Sequence, residues 1–272
     1  MEYKEQIRHI LEQWCDNVAA SDPRFDEGVR YIVLSDAKYA RSVCAYLIMN
    51  GFSQPITPAF EQFIVSIELI HASSLIFDDL PCMDNAALRR GKPTHHVQYG
   101  EAQTVLTALY LLTEAYRCIG HDPQMTALLS DIMGANGLVF GQYLDLHGAK
   151  DTFEQVSRIH ELKTSPLFAY AFVGAALFAK ASDAFVADMR TVSRHIGIAF
   201  QLWDDYLDRY GSSAETGKDS GLDNDKYSHH NDKDALLAAF NKEYSEVNIV
   251  LSRHTQTGPL MQFLQKLRER TK

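Results

Sequence analysis

The stretch "LIFDDLPCMDNAALRRG", residues 75–91, brings Asp78, Asp79 and Asp84 together at the end of an apolar run and follows them at once with Arg89 and Arg90. A second stretch, "FQLWDDYLD", carries Asp204, Asp205 and Asp208, of which Asp204 and Asp208 stand at i and i+4 and so share one helix face. Carboxylates crowded onto apolar helices repel one another and are costly unless a cation holds them together. Magnesium suits that role, because it takes hard oxygen ligands and divides itself among carboxylates, water and substrate phosphates. Arginine is planar, permanently charged and fitted to phosphate oxygens, and Lys163 with Thr164, Gln201, Lys218 and Lys226 add further donors. Carboxylates that hold metal beside cations that hold phosphate describe a diphosphate clamp. Either cluster alone could also be a solvated helix end, the less favoured reading, and any one of the basic residues, taken singly, a surface charge. Their joint occurrence carries the inference.

The elements that must position these residues are helical. Apolar side chains recur at helical spacing at Ile7, Ile10, Leu11 and Trp14, and again at Phe60, Phe63, Ile64 and Ile67, which lead into the first aspartate stretch. Strand-like alternation is nearly absent. Further helices are expected over roughly 101–119, 125–147, 153–162, 166–180, 183–209, 233–252 and 257–270. The fold class is therefore all-α, and no linker divides residues 1–272 into separate domains. Pro81 cannot continue a regular helix, so the first cluster sits at a helix end. The polar run from Gly211 to Asp234 lacks apolar periodicity and follows the second cluster directly. Long loops of this kind are usually functional, and this one is expected to close over the site.

Composition narrows the partners. The 272 residues are 46% hydrophobic and 22% charged, an ordinary globular balance, and the net charge of −9 with a pI near 5.6 argues against a coat for nucleic acid or an anionic membrane. Cys15, Cys44, Cys82 and Cys118 lack the close pairing of a zinc site and are too few for a disulfide framework, which fits a reducing cytoplasm. The opening "MEYKEQIRHI" holds no apolar signal segment. The run from Leu167 to Ala179 falls short of the ~20 residues of a membrane span and reads as a buried helix.

These residues resemble the trans-isoprenyl diphosphate synthases, and most closely the bacterial geranylgeranyl diphosphate synthases. The similarity rests on Asp78-Asp79-Leu80-Pro81-Cys82-Met83-Asp84, on Arg89-Arg90-Gly91 with "PTHHVQYGE" after it, and on "GQYLDL" and Lys163-Thr164. It continues through Phe200-Gln201, Asp204-Asp205-Tyr206-Leu207-Asp208 and "GKDS" from Gly217 to Ser220. Order and spacing match over roughly residues 30–230, a combination far more specific than one short motif. In "DAKYARS" Lys38 and Arg41 match, while Ala37, Tyr39 and Ser42 replace a glycine, an arginine and a proline; the late "KYS" from Lys226 to Ser228 departs as well.

The resemblance implies a helical bundle around a deep central cavity, a homodimer, and a prenyltransferase that joins isopentenyl diphosphate head-to-tail to dimethylallyl, geranyl or farnesyl diphosphate. It implies about three magnesium ions per active site. Asp78, Asp84 and Asp204 are similar to their ligands, with Asp79, Asp205 and Asp208 as nearby or water-mediated partners. Arg89, Lys163, Thr164, Gln201 and Lys218 resemble residues that grip the allylic substrate, and Lys38, Arg41, His71 and Arg90 those that bind isopentenyl diphosphate. The allylic carbon–oxygen bond would ionise, the isopentenyl double bond would attack the cation, and the departed diphosphate would take the proton. Such a cation must be kept from water, which gives the apolar helix before the aspartates its purpose. Ser73 and Ser74 stand where the related farnesyl enzymes carry an aromatic residue, and their small side chains favour the longer geranylgeranyl product unless Phe77 or the "LTALYLL" segment blocks the pocket. A farnesyl diphosphate synthase is the alternative, then a class I terpene cyclase or a non-catalytic partner subunit.

Overall fold

In the computed structural model, residues 2–17, 22–210 and 232–269 are described, the side chains of Glu2 and Asp208 excepted. They are helical apart from connections and one two-stranded hairpin. Two compact units are present, one of Met1–Val43 and Ile56–Thr126, the other of Cys44–Pro55 and Ala127–Lys272.

The first unit is built on α4 (Pro58–Asp78), with α1 (Glu2–Asn17), α2 (Pro23–Val33) and the start of α3 (Ala40–Gly51) before it in the chain. The Thr57 hydroxyl accepts the Phe60 amide at 3.2 Å, and Pro58 occupies the first turn where its missing N–H costs nothing. From Phe60 to Ile76 the helix is buried on nearly every side. Each large apolar side chain so buried contributes ~1.5–3 kcal/mol. This 21-residue helix, rather than Leu167–Ala179, is long and apolar enough to cross a membrane, and 67% of its most apolar window is buried within the protein. Beyond the aspartates come β1 (Leu88–Arg89), β2 (Lys92–Pro93), α5 (His95–Tyr99) and α6 (Glu101–Ile119), and α6 packs along α4. Within this apolar company Glu68 is 7% exposed and accepts a hydrogen bond from the Ser42 hydroxyl. Burial pushes its pKa up, against the opposing pull of Ser42, Arg41 and Arg90.

α7 (Pro123–Met133) links the units in sequence, and the second unit is carried by α8 (Leu138–His147), α9 (Phe153–Phe178), α10 (Asp183–Tyr210), α11 (Lys233–Leu251) and α12 (Gly258–Glu269). Two sequence expectations are corrected here. The single stretch 125–147 is two helices, because Gly134 and Gly137 break it; a Cβ on Gly137 would lie 1.9 Å from the Ile132 carbonyl oxygen. Conversely, 153–162 and 166–180 form one helix that runs through Pro166. A proline inside a helix loses one amide bond. Here the surrounding residues Ser165 to Phe168 are all buried, so packing outweighs that loss.

Glycines set how closely these helices approach. A Cβ on Gly141 of α8 would meet the Leu162 carbonyl carbon at 2.4 Å and the Lys163 amide nitrogen at 2.5 Å. One on Gly197 of α10 would meet the Ser165 hydroxyl at 2.3 Å and its Cα at 2.5 Å. Leu162–Ser165 is thus pressed between two bare backbones. Gly197→Ala is expected to lower stability by ~1–3 kcal/mol through overpacking. Gly258→Ala, where nothing lies within 4 Å and φ is −49°, is the control and should be neutral; equal urea midpoints for the two variants would contradict the packing argument. Glu68 makes a second, pH-linked prediction. Its raised folded-state pKa means that its contribution to stability is complete below the ordinary 4.5 and is lost as pH rises through the folded value. Glu68→Gln should remove that loss, so the two proteins' unfolding free energies should diverge above pH 4.5 by up to about 1.4 kcal/mol per pH unit.

Candidate active site

In the first unit Asp78 is the last residue of α4 and Asp79 its cap. Pro81 turns the chain, the amides of Met83 and Asn85 donate to the Leu80 carbonyl at 2.9 and 3.0 Å, and the Asp84 amide donates to the Asp78 carbonyl at 2.9 Å. The turn therefore ties Asp84 back to Asp78 through their peptide groups. Asp84 is exposed and Asp78 partly so, whereas Asp79 is only 2% exposed.

Asp79 is held from the hairpin. Arg90 and Gly91 adopt φ of 53° and 74°, the positive pair of a tight two-residue turn, which sends the two neighbouring arginines different ways. Arg89 donates both Nε, at 2.7 Å, and Nη2, at 2.6 Å, to the two oxygens of Asp79. Burial weakens the Arg89 charge, but the bonds to Asp79 and the fields of Asp78 and Asp84 more than offset it and raise its pKa. Arg90 instead donates to the Asp36 carbonyl at 2.7 Å. His71 lies 3.5 Å from Arg41 Nη1, and burial together with Arg41, Arg90 and Arg89 holds its pKa well below the usual imidazole range. The positive fields of Arg41, Arg90 and Arg89 all reach this imidazole, a local charge balance that favours an anion. Lys38 is exposed on the segment leading into α3.

In the second unit α9 and α10 run antiparallel, and polar side chains fix their register. Thr164 Oγ1 donates to Gln201 Oε1 at 3.1 Å, Gln201 Nε2 donates to Asp205 Oδ1 at 3.4 Å, and the other Asp205 oxygen lies 3.0 Å from His160 Nε2. Lys163 donates to Asp145 of α8 at 2.7 Å, and Lys150 shares that carboxylate at 3.3 Å. Asp204 is exposed, and Asp208 lies one turn further along α10. Lys218, Lys226 and residues 211–231 of the run Gly211–Asp234, to which a closing role is assigned above, lie outside the described residues, while Asp232 caps α11 and Lys233 and Asp234 begin it.

Ser73 is 3% exposed, and its hydroxyl donates to the Ala108 carbonyl of α6 at 2.9 Å. Ser74 bonds back to His71 of its own helix. Of the "LTALYLL" residues, Leu106 and Leu109 point to solvent at 59% and 48% exposure, so within this chain they block nothing beside Ser73; Thr107, Ala108 and Leu111 are the buried members.

Sequence reasoning did not single out Asp145, Lys150 or His160. Asp145 sits in the quoted "GQYLDL" as an acid on a helix with apolar neighbours, a signal of the same kind as the two clusters. His160 precedes Thr164 by one helical turn, but only the register of α9 on α10 gives it a partner.

The carboxylates fit magnesium. Among the described residues no three imidazole, thiol or carboxylate groups gather closely enough to hold a metal alone. Asp78 with Asp84, and the exposed Asp204, instead offer one or two hard oxygen donors apiece, the share magnesium takes when substrate phosphates complete its shell.

The polyprenyl synthetase family model matches residues 22–229. Farnesyl diphosphate synthase of Micrococcus luteus is 32% identical over 99% of this chain and 93% of its own length. That of Bacillus subtilis is 41% identical over 82% of this chain and 79% of its own. Geranylgeranyl diphosphate synthases are among the relatives too. The crystal structure of a geranyltransferase from Legionella pneumophila superposes with a TM-score of 0.83 at 27% identity, covering 99% of this chain and 94% of that one. With the aspartate stretches and their cationic partners in place along nearly its whole length, the chain belongs to the polyprenyl synthetase family and is a prenyltransferase that makes short-chain trans-prenyl diphosphates.

Proposed function

We propose that this prenyltransferase condenses isopentenyl diphosphate with an allylic diphosphate as far as geranylgeranyl diphosphate. The observation that carries this is the small, buried Ser73 on α4, whose hydroxyl is spent on the Ala108 carbonyl, so that the helix presents neither bulk nor a spare proton donor there. The similarity to farnesyl diphosphate synthases favours a second reading, in which elongation stops at farnesyl diphosphate.

In this proposal Asp78, Asp84 and Asp204 hold magnesium, which when bound neutralises the charge that builds on the departing diphosphate. Lys163, Thr164, Gln201, Arg89 and Lys218 orient the allylic headgroup. Lys38, Arg41, His71 and Arg90 hold isopentenyl diphosphate, a role supported by the positive fields that reach His71. The allylic carbon–oxygen bond breaks, a carbon–carbon bond forms to the isopentenyl double bond, and the proton leaves with the released diphosphate. α4 and its neighbours keep water from the cation. The protein acts as a cytoplasmic homodimer, a reading supported by free thiols at Cys15, Cys44, Cys82 and Cys118 and by apolar Val139, Phe140 and Tyr143 left exposed on α8 for a second copy to cover.

Purified protein given labelled isopentenyl diphosphate with dimethylallyl, geranyl or farnesyl diphosphate should yield geranylgeranyl diphosphate, and a chelator should stop it. Asp84→Ala should lower kcat by about 10²–10³-fold. Product from an allylic diphosphate alone would point to a cyclase, and a farnesyl end product to the second reading. Ser73→Tyr should shift the product to shorter chains; a product distribution unmoved by it would take Ser73 out of chain-length control.

A further inference from the structure

Of Asp204 and Asp205, the carboxylates of the second aspartate stretch whose side chains are described, Asp205 is the one that turns into the protein. Its side chain is 10% exposed, with one oxygen 3.0 Å from His160 Nε2 and the other accepting from Gln201 Nε2 at 3.4 Å. His160 is itself 1% exposed. His160 and Thr164 are one turn apart on α9, and Asp205 and Gln201 one turn apart on α10, so the four side chains form two rungs between antiparallel helices. The same two helices also meet where Ser165 Oγ donates to the Arg194 carbonyl at 3.0 Å, beside Gly197. Asp204, adjacent in sequence, is exposed.

From this geometry we infer that His160 is a positioning residue: it draws the Asp205 carboxylate inward, withholds it from the metal, and thereby fixes the rotation of α10 that leaves Asp204 exposed. The inference rests on the functional reading above, in that the exposed Asp204 is a metal-facing carboxylate. It assigns the paired aspartates different tasks, and it makes a histidine that touches no substrate a determinant of metal affinity. Groups that orient metal ligands from behind typically control affinity or activity by 10–100-fold.

The test compares wild type with His160→Phe, His160→Gln, Asp205→Asn and the His160→Phe/Asp205→Asn double variant. Manganese binding in the presence of inorganic diphosphate is followed by the electron paramagnetic resonance of the free ion. His160→Phe should weaken binding about 10–100-fold. Gln places a side-chain N–H near the former Nε2 and should restore most of it. The double variant should bind no worse than the weaker single one, because both changes remove the same contact. In metal-free protein the His160 ring resonances should move in Asp205→Asn. Unchanged binding in His160→Phe, fully additive losses, or ring resonances indifferent to Asp205→Asn would each overturn the positioning role while leaving the enzyme assignment intact. Wild type that binds no manganese with diphosphate would instead overturn the metal-site reading, and the positioning role with it.

Discussion

Two adjacent carboxylates at the end of an apolar helix cannot remain ionised side by side without something positive close to each. At a separation of 4 Å two like charges near a protein surface cost ~4 kcal/mol, comparable to the burial of one or two core side chains. Both aspartate stretches meet this constraint in the same way. Consecutive residues on a helix diverge by ~100°, so one of each pair turns inward to a protein partner and the other outward. Asp79 goes to the fork of Arg89, and Asp205 to His160 and Gln201. Asp78 and Asp204 are left with solvent access. The inward member of each pair is engaged by side chains of the fold, Arg89 for Asp79 and His160 with Gln201 for Asp205.

This division explains why one of the cations expected to grip phosphate is engaged elsewhere. Arg89 gives two donors to a carboxylate that is 2% exposed, and removing one partner of such a pair typically costs ~3–5 kcal/mol because the other charge is stranded. Arg89 is therefore as much a structural counter-ion as a ligand. The same holds for Lys163, whose ammonium lies 2.7 Å from Asp145. A lysine paired in this way is held in place before substrate binds, which reduces the ordering cost of binding.

The fold class and the outer plan of the site were legible because they are local. Helical periodicity, the proline that ends α4 and the i, i+4 spacing of Asp204 and Asp208 all operate within a few residues. What escaped depends on partners distant in sequence. Pro166 reads as a helix end until the buried residues around it are seen to hold the helix straight through. Gly134 and Gly137 were passed over within an apolar run, although a Cβ at Gly137 has no room against Ile132. His160 and Asp145 acquire meaning only when α9 settles against α10 and α8. Ser73 shows both sides: its small size was visible in the sequence, while its bond to Ala108, which silences its hydroxyl, was not.

That last bond bears on how a polar residue can stand inside an apolar helix. A serine with an idle hydroxyl would leave a buried donor unmet. At Ser73 the proton is committed to a carbonyl of α6, and the side chain is 3% exposed. Satisfying the donor removes most of the cost of burying it, of order 1–3 kcal/mol, and ties α4 to α6. An alanine would give the same space without that tie. A tyrosine would fill the space and would need a new partner for its own hydroxyl. Serine thus combines a small side chain with a fixed distance between the two helices.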